Sequence, residues 1–337
     1  MKLRSFLVVL SAATVALGAA QPPRPSSGTL LVLSKGDLTL SVVDPSTLKV
    51  LGKVPSGPDP HEVIASTDGR MAYIANYNGG GNIITPVDLV EMKALTPIDL
   101  GPLRAPHGVT FVADKLWFTA EGSKAIASYD PVAKKVDWIL GTGQNRTHMI
   151  HVWSDLSRIV TSNVSSATMT IIDKVTGGGR GRGGAGQSDW DETVVPVGRG
   201  AEGFDVSPDG KQIWAANAQD GTISIIDVTA KKVTDTLAAN VNGANRLKFT
   251  PDGKHVFVSS LGAAEVAILD AATKGDVKRL KTGRGAAGIQ MQPDGTRAYV
   301  ACTPDDYVAV VDLKTLEVAG RIEAGRQPDG LAWVPRR

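Results

Sequence analysis

The sequence predicts an all-β fold, a seven-bladed β-propeller whose blades are four-stranded antiparallel sheets. Three observations carry this expectation: an Asp that closes a β-rich run at a near-constant interval, a Pro-Asp-Gly turn repeated at the same interval, and two incomplete end units that complement each other. The Asp markers are Asp44, Asp88, Asp130, Asp173, Asp227, Asp270 and Asp312, spaced by 44, 42, 43, 54, 43 and 42 residues. A period of about 40–45 residues is the length of one propeller blade.

The Asp suits its place because its carboxylate can accept hydrogen bonds from the backbone that follows, as in Asp44-Pro-Ser-Thr47 and Asp312-Leu-Lys-Thr315. The turns Ser207-Pro-Asp-Gly210, Thr250-Pro-Asp-Gly253 and Gln292-Pro-Asp-Gly295 each precede an apolar strand, Gln212–Asn217, His255–Ser260 and Arg297–Cys302. Each unit therefore reads as strand A after a Gly or Pro, a turn to strand B, a polar B–C loop, strand C ending in the marker Asp, and strand D. Turn punctuation at this interval is an antiparallel meander, and no segment sustains helical periodicity.

The ends specify closure. The first copy starts with a B-like strand, Thr29–Ser34, and the last segment, Pro328-Asp-Gly-Leu-Ala-Trp-Val334, is a strand A with no blade after it. Joining the two completes the N-terminal blade and removes two sheet edges that would otherwise template aggregation. A solenoid would instead carry intact units and distinct caps.

The N-terminus stands apart from the repeat. Lys2 and Arg4 precede an apolar run, Phe6 to Leu17, and small residues at Gly18–Ala20. This is a secretory signal pattern over residues 1–20, with cleavage expected near Ala20 and a periplasmic or secreted product; an uncleaved anchor is the alternative. A Pro-rich leader follows over 21–27, then a single propeller over 28–337, with no other stretch apolar enough to span a bilayer as a helix. Within it, residues 177–187 form a Gly/Arg-rich insertion that accounts for the long interval. It lacks the Gly-Lys-Ser/Thr ending of a phosphate loop and reads as a surface insertion between strands C and D.

Hydrophobic residues make up 42% of the chain and charged residues 21%, a globular balance. Without Lys2 and Arg4 the 36 basic side chains fall to 34, equal to the acidic count of 34. A protein that binds polyanions over its whole surface would carry a basic excess, so charge recognition has to come from local arrangement. Cys302, the single cysteine, ends an apolar strand, excludes an internal disulfide and reads as a buried small hydrophobe.

Tyr73-Ile-Ala-Asn76 and Tyr299-Val-Ala-Cys302, the Pro-Asp-Gly turns and Thr222-Ile-Ser-Ile-Ile-Asp227 together resemble the YVTN family of seven-bladed propellers, which includes periplasmic YncE-like proteins. The resemblance covers essentially the whole mature chain. It implies the fold and leaves activity open, because the superfamily holds binding proteins, lactonases, and electron-transfer or haem enzymes. One blade, with Ala105-Pro-His-Gly-Val109 and Leu116-Trp-Phe-Thr119, also resembles streptogramin-lyase propellers, without their catalytic residues being assignable elsewhere.

Folds host many functions, so the site must carry the argument. Aligning the start of strand A across the seven units gives His61, His107, His148, Glu202, Asn245, Ala287 and Asp329. Two or three residues earlier lie Arg104, Arg146, Arg199, Arg284 and Arg326. Guanidinium groups present a planar fork to carboxylate or phosphate, so a ring of them at the central opening would draw in an anion. The alternatives are plain: the polar ring solvates the channel mouth, and the arginines pair with neighbouring carboxylates. The B–C loops bring Tyr77, Glu121, Asn163, Asp220 and the pair Asp305-Asp306 to the same face. His151 and His255 read as blade packing or surface.

Three functions follow. The first is a scaffold that binds an anionic small molecule, a peptide or protein partner, or nucleic-acid phosphate through the five arginines with Asn245 and Asp329. The second is a metal-assisted lactone hydrolase or lyase. There His61, His107, His148 and Glu202 hold a divalent ion (Zn, Ca or Cu), or His107, His148 and Glu202 move protons, while Arg146 and Arg199 orient substrate. The third is a partner subunit in periplasmic electron transfer, which would have to borrow its cofactors because no Cys-x-x-Cys-His occurs. Nucleophile-elbow, dinucleotide and EF-hand signatures are missing.

Overall fold

Strands B and C are apolar along their length because both faces are covered by neighbouring blades. In Gln212–Asn217 and Thr222–Asp227 every inner position is buried, whereas the outer strand Lys232–Leu237 alternates exposed and half-buried residues. Period-two patterning thus survives only in strand D, where one face meets water. The computed structural model describes residues 28–77, 80–176 and 188–335. The expected signal segment, the Pro-rich leader and the Gly/Arg-rich insertion lie outside the described residues.

Seven sheets form the ring, each antiparallel in the order A-B-C-D. Blade 1 is closed by the C-terminal strand: Pro328–Pro335 pairs with Gly28–Ser34, with Leu31 opposite Ala332, ahead of Thr39–Asp44 and Lys49–Pro55. Blades 2 to 7 take their A strands from Pro60–Ala65, Pro106–Val112, Thr147–Val152, Ala201–Val206, Ala244–Phe249 and Ala286–Met291. Blade 2 departs in its outer strand, which is split into Lys93–Ala94 and Ile98–Asp99, both pairing with Ile83–Asp88. Pro97 sits in the gap; a residue with no N–H cannot extend the ladder, and an edge strand tolerates the break.

Six of the seven marker Asp residues accept hydrogen bonds from the backbone two or three residues on, for example Ser46 N–H to Asp44 at 2.8 Å and Thr315 N–H to Asp312 at 2.9 Å. Asp173 is the exception. Its C–D hairpin is the extended one, and its carboxylate pairs with Arg158 and Lys231 instead.

The core consists of the layers between adjacent blades. Trp214, Ile223 and Ile225 of blade 5 meet Leu247, Val256 and Val258 of blade 6, with the Trp214 and Phe249 rings edge-to-face at 5.6 Å. Cys302 is buried in the corresponding layer of blade 7, where burial pushes its thiol up to about 11 and leaves it inert. Among the described residues, no helix is long and apolar enough to cross a membrane.

Candidate functional site

Every blade enters the ring through the same backbone device. The residue just before each A strand is left-handed: Asp59, Ala105, Arg146, Gly200, Gly243, Gly285 and Gln327, with φ between 42° and 76°. The A–B register then slips after the first strand A residue in all seven blades, leaving the second residue unpaired and, in every blade but the second, the third as well. A bulge leaves its residue out of the ladder and re-aims the side chain. The bulged residues are His61, His107, His148, Glu202, Asn245, Ala287 and Asp329, the ring that the sequence aligns. All seven line one cavity of about 350 Å³ at the central mouth, together with Lys35, Tyr77, Arg146 and Arg246.

Hydroxyls on strand B hold three of these residues; the third is Ala287, whose carbonyl accepts from Ser259 Oγ at 2.7 Å. The N–H of Gly108 donates to Thr119 Oγ1 at 2.9 Å, and that hydroxyl donates to the His148 carbonyl at 2.7 Å. One blade on, Met149 N–H donates to Ser162 Oγ, which donates to the Glu202 carbonyl at 2.6 Å. Blades 3, 4 and 6 thus fix the backbone of the next blade's cavity residue. Gly108 must be glycine here, because a Cβ would collide with the His148–Ile150 backbone.

The three histidines form a stair, with ring centroids 5.4 Å apart from His61 to His107 and 3.9 Å from His107 to His148. His61 Nε2 lies 3.0 Å from Asp59 Oδ1. The buried His148 ring is clamped on its Nδ1 side by Glu121 Oε1, while Glu202 Oε2 approaches Nε2 at 2.8 Å without a well-directed hydrogen bond. Tyr77 donates its hydroxyl to the other Glu121 oxygen at 2.6 Å. His107 Nδ1 is buried with no hydrogen-bond partner.

These neighbours separate the two imidazoles. Burial, then the positive charge around His148 and Arg246, drives His107 well below its ordinary value and keeps it neutral. Burial acts the same way on His148, yet the Glu121 hydrogen bond and the Glu202 carboxylate 2.8 Å away outweigh it and raise its pKa. For Glu202, burial would raise the carboxyl, but the adjoining His148 imidazole and the charges of Arg146 and Arg246 bring it to about 2. The mouth therefore holds a neutral imidazole beside a charged imidazole–carboxylate array.

The arginine set divides. Arg104, Arg199, Arg284 and Arg326 sit one residue before the left-handed position, whereas Arg146 occupies it, with φ 59°. In blades 5, 7 and 1 the B–C loop offers a carboxylate, and the guanidinium turns outward to it: Arg199 to Asp220, Arg284 to Asp305 and Arg326 to Asp37, each at 2.7 Å. These three do not line the cavity. In blades 3 and 4 the loop offers Ser123 and Ser166 instead. Arg104 then reaches the Gly80 carbonyl at 3.4 Å, while Arg146 turns inward, 3.5 Å from Glu121 and 3.4 Å from Glu202. Its side chain remains 40% exposed.

Sequence alignment of single positions misses Arg246. It is the third residue of its A strand, buried, and bonded across the ring to Glu62, with Nε 3.2 Å from Glu62 Oε1. At this third level Gly108, Gly203, Gly288 and Gly330 have no room for a Cβ beside the neighbouring strand, so only Glu62, Met149 and Arg246 can fill the axis. Arg246 lines both the mouth cavity and a second cavity on the opposite face, so the pair closes the channel between them.

The opposite cavity contains His151, whose ring packs edge-on to Trp153 at 4.7 Å. Burial pushes it down to about 4, with Asp205 opposing and Lys248 assisting. An unfolded chain takes up a proton near pH ~6.5 that this site refuses until about 4, so stability falls as pH drops through that window. His107, neutral for the same reason, steepens the same limb. In urea unfolding at stepped pH, His151→Gln is expected to flatten the limb; an unchanged slope would contradict the assignment.

No family model and no curated protein match the chain. Solved structures do. A protein of unknown function from Desulfotomaculum acetoxidans superposes with a TM-score of 0.74 at 14% identity, over 92% of this chain and 100% of that one. Hydrazine synthase of Kuenenia stuttgartiensis gives 0.64 at 19% identity, over 82% of this chain and 89% of that one. At such identities the likeness shows the fold alone.

Proposed function

We propose that this propeller binds a small anionic molecule, a carboxylate or phosphate compound, in the mouth cavity, and that Arg146 receives its charge. The observation that carries the reading is the contrast among the cavity's cations. Arg246 is committed to Glu62, and Lys35 lies 3.0 Å from Asp329. Arg146 is the most exposed of the three, and its two carboxylate contacts are long for hydrogen bonds, which leaves donors for a ligand. A cavity of about 350 Å³ suits a small molecule and not a folded partner. Asn245, Tyr77 and His61 add polar groups around the same space.

Titration calorimetry with inorganic phosphate and with malate tests this. Arg146→Ala is expected to weaken the better ligand at least tenfold, about 1.4 kcal/mol, and Arg199→Ala to leave it within twofold. Equal losses in the two variants would place recognition on the outer arginines and overturn the reading.

A further inference from the structure

His107 and His148 of the mouth cavity meet Glu121, which lies behind its lining, in a group of side chains that ordinary packing leaves incomplete. One donor atom each from His107, Glu121 and His148 lies within 4.8 Å of the others, and all three residues are buried. His107 Nδ1 has no hydrogen-bond partner despite its burial, and His148 Nε2 has none that is well directed. A buried imidazole nitrogen without a partner is costly unless something absent from the protein atoms completes it.

From these contacts we infer that His107, His148 and Glu121 form a binding site for a first-row divalent cation of the Zn²⁺ type, with an open position toward the mouth cavity. Two imidazoles and one carboxylate are the donor set of an open, three-ligand zinc site. Two ligands on one tetrahedral ion stand roughly 3.3 Å apart for bonds of about 2.0–2.1 Å, so modest side-chain rotation would close the group. Such donors disfavour Ca²⁺ and Mg²⁺, which take oxygen ligands. Glu121 is oriented from behind by the Tyr77 hydroxyl, and His148 by the Thr119 hydrogen bond to its carbonyl. The ion would displace the proton that His148 holds in the metal-free protein; two imidazoles, then both neutral, and one carboxylate leave it a net positive charge, and Arg146 stands 3.5 Å from Glu121. The ion and Arg146 would share one anionic ligand, which rests on the binding reading above.

The test uses protein stripped with chelator and titrated with Zn²⁺ alone, then with Co²⁺. One Zn²⁺ per chain is expected, along with visible Co²⁺ absorption of nitrogen–oxygen ligation that excess Ca²⁺ does not remove. His107→Gln and His148→Gln should each weaken Zn²⁺ at least tenfold, with circular dichroism confirming the fold, and His255→Gln should leave it unchanged. If either histidine variant fails to fold, Glu121→Gln is read in its place, with the same loss expected. Absence of Zn²⁺ binding, or affinity unchanged in the folded variants, would overturn the site. Phosphate and malate titrated into the stripped protein separate the two claims: anion binding without Zn²⁺ binding defeats only the metal site, and the reverse defeats only the anion reading.

Discussion

Removing residues 328–337 is expected to abolish cooperative folding. The lost strand is the innermost of blade 1, paired along its length with Gly28–Ser34. It buries Leu331, Ala332 and Val334 in the layers that join blade 1 to both neighbours. Burial of a large apolar side chain contributes about 1.5–3 kcal/mol, so the segment's share, on the order of 5 kcal/mol, is comparable to the whole stability of an ordinary domain. The truncation also bares the hydrogen-bonding edge of Gly28–Ser34, a template for association. Thermal melts of the shortened chain should show no sharp transition, and gel filtration should show aggregate. A sharp melt within a few degrees of the full chain would contradict closure.

Glu62→Ala should cost nearly as much for a different reason. It leaves the Arg246 guanidinium buried at the axis with its ion-pair partner gone, and breaking such a pair costs about 3–5 kcal/mol. Asp329 and Glu202 still attract the charge, which points to the lower end, about 3 kcal/mol. The companion variant decides the cause. Glu62→Leu with Arg246→Met removes both charges and is expected to recover most of the loss, because a buried pair is worth little relative to apolar packing of similar volume. Denaturant midpoints measure both. If the double variant is less stable than Glu62→Ala, the loss lies in axial packing and not in the unpaired charge.

The fold was legible because the repeat acts at the level of backbone chemistry. The marker Asp and the left-handed glycines of the Pro-Asp-Gly turns are local requirements, visible in one copy and confirmed by the next. The ring of bulged residues was legible for the same reason. The charge balance was not, since it depends on loops brought together by pairing: Arg199 and Arg284 find Asp220 and Asp305 exactly one strand B later, both 21 residues on. That constant separation was the available signal, and the serines of blades 3 and 4 mark where it fails. Arg146 also differs by a single residue in its place before strand A, which decides whether a guanidinium faces in or out. Arg246 and Glu62 lie 184 residues apart and meet only across the closed ring, so no local pattern reports them.

The central claim is that the mouth cavity, and not the outer arginine pairs or the opposite face, receives the ligand. The chain's five histidines report on it directly. His61, His107 and His148 line the mouth, His151 lines the opposite cavity, and His255 opens the B strand of blade 6, away from both. In nitrogen-labelled protein, imidazole resonances of the first three are expected to shift on addition of phosphate or malate, with His151 and His255 unmoved. Shifts confined to His151 or His255, with the mouth histidines silent at saturating ligand, would contradict it.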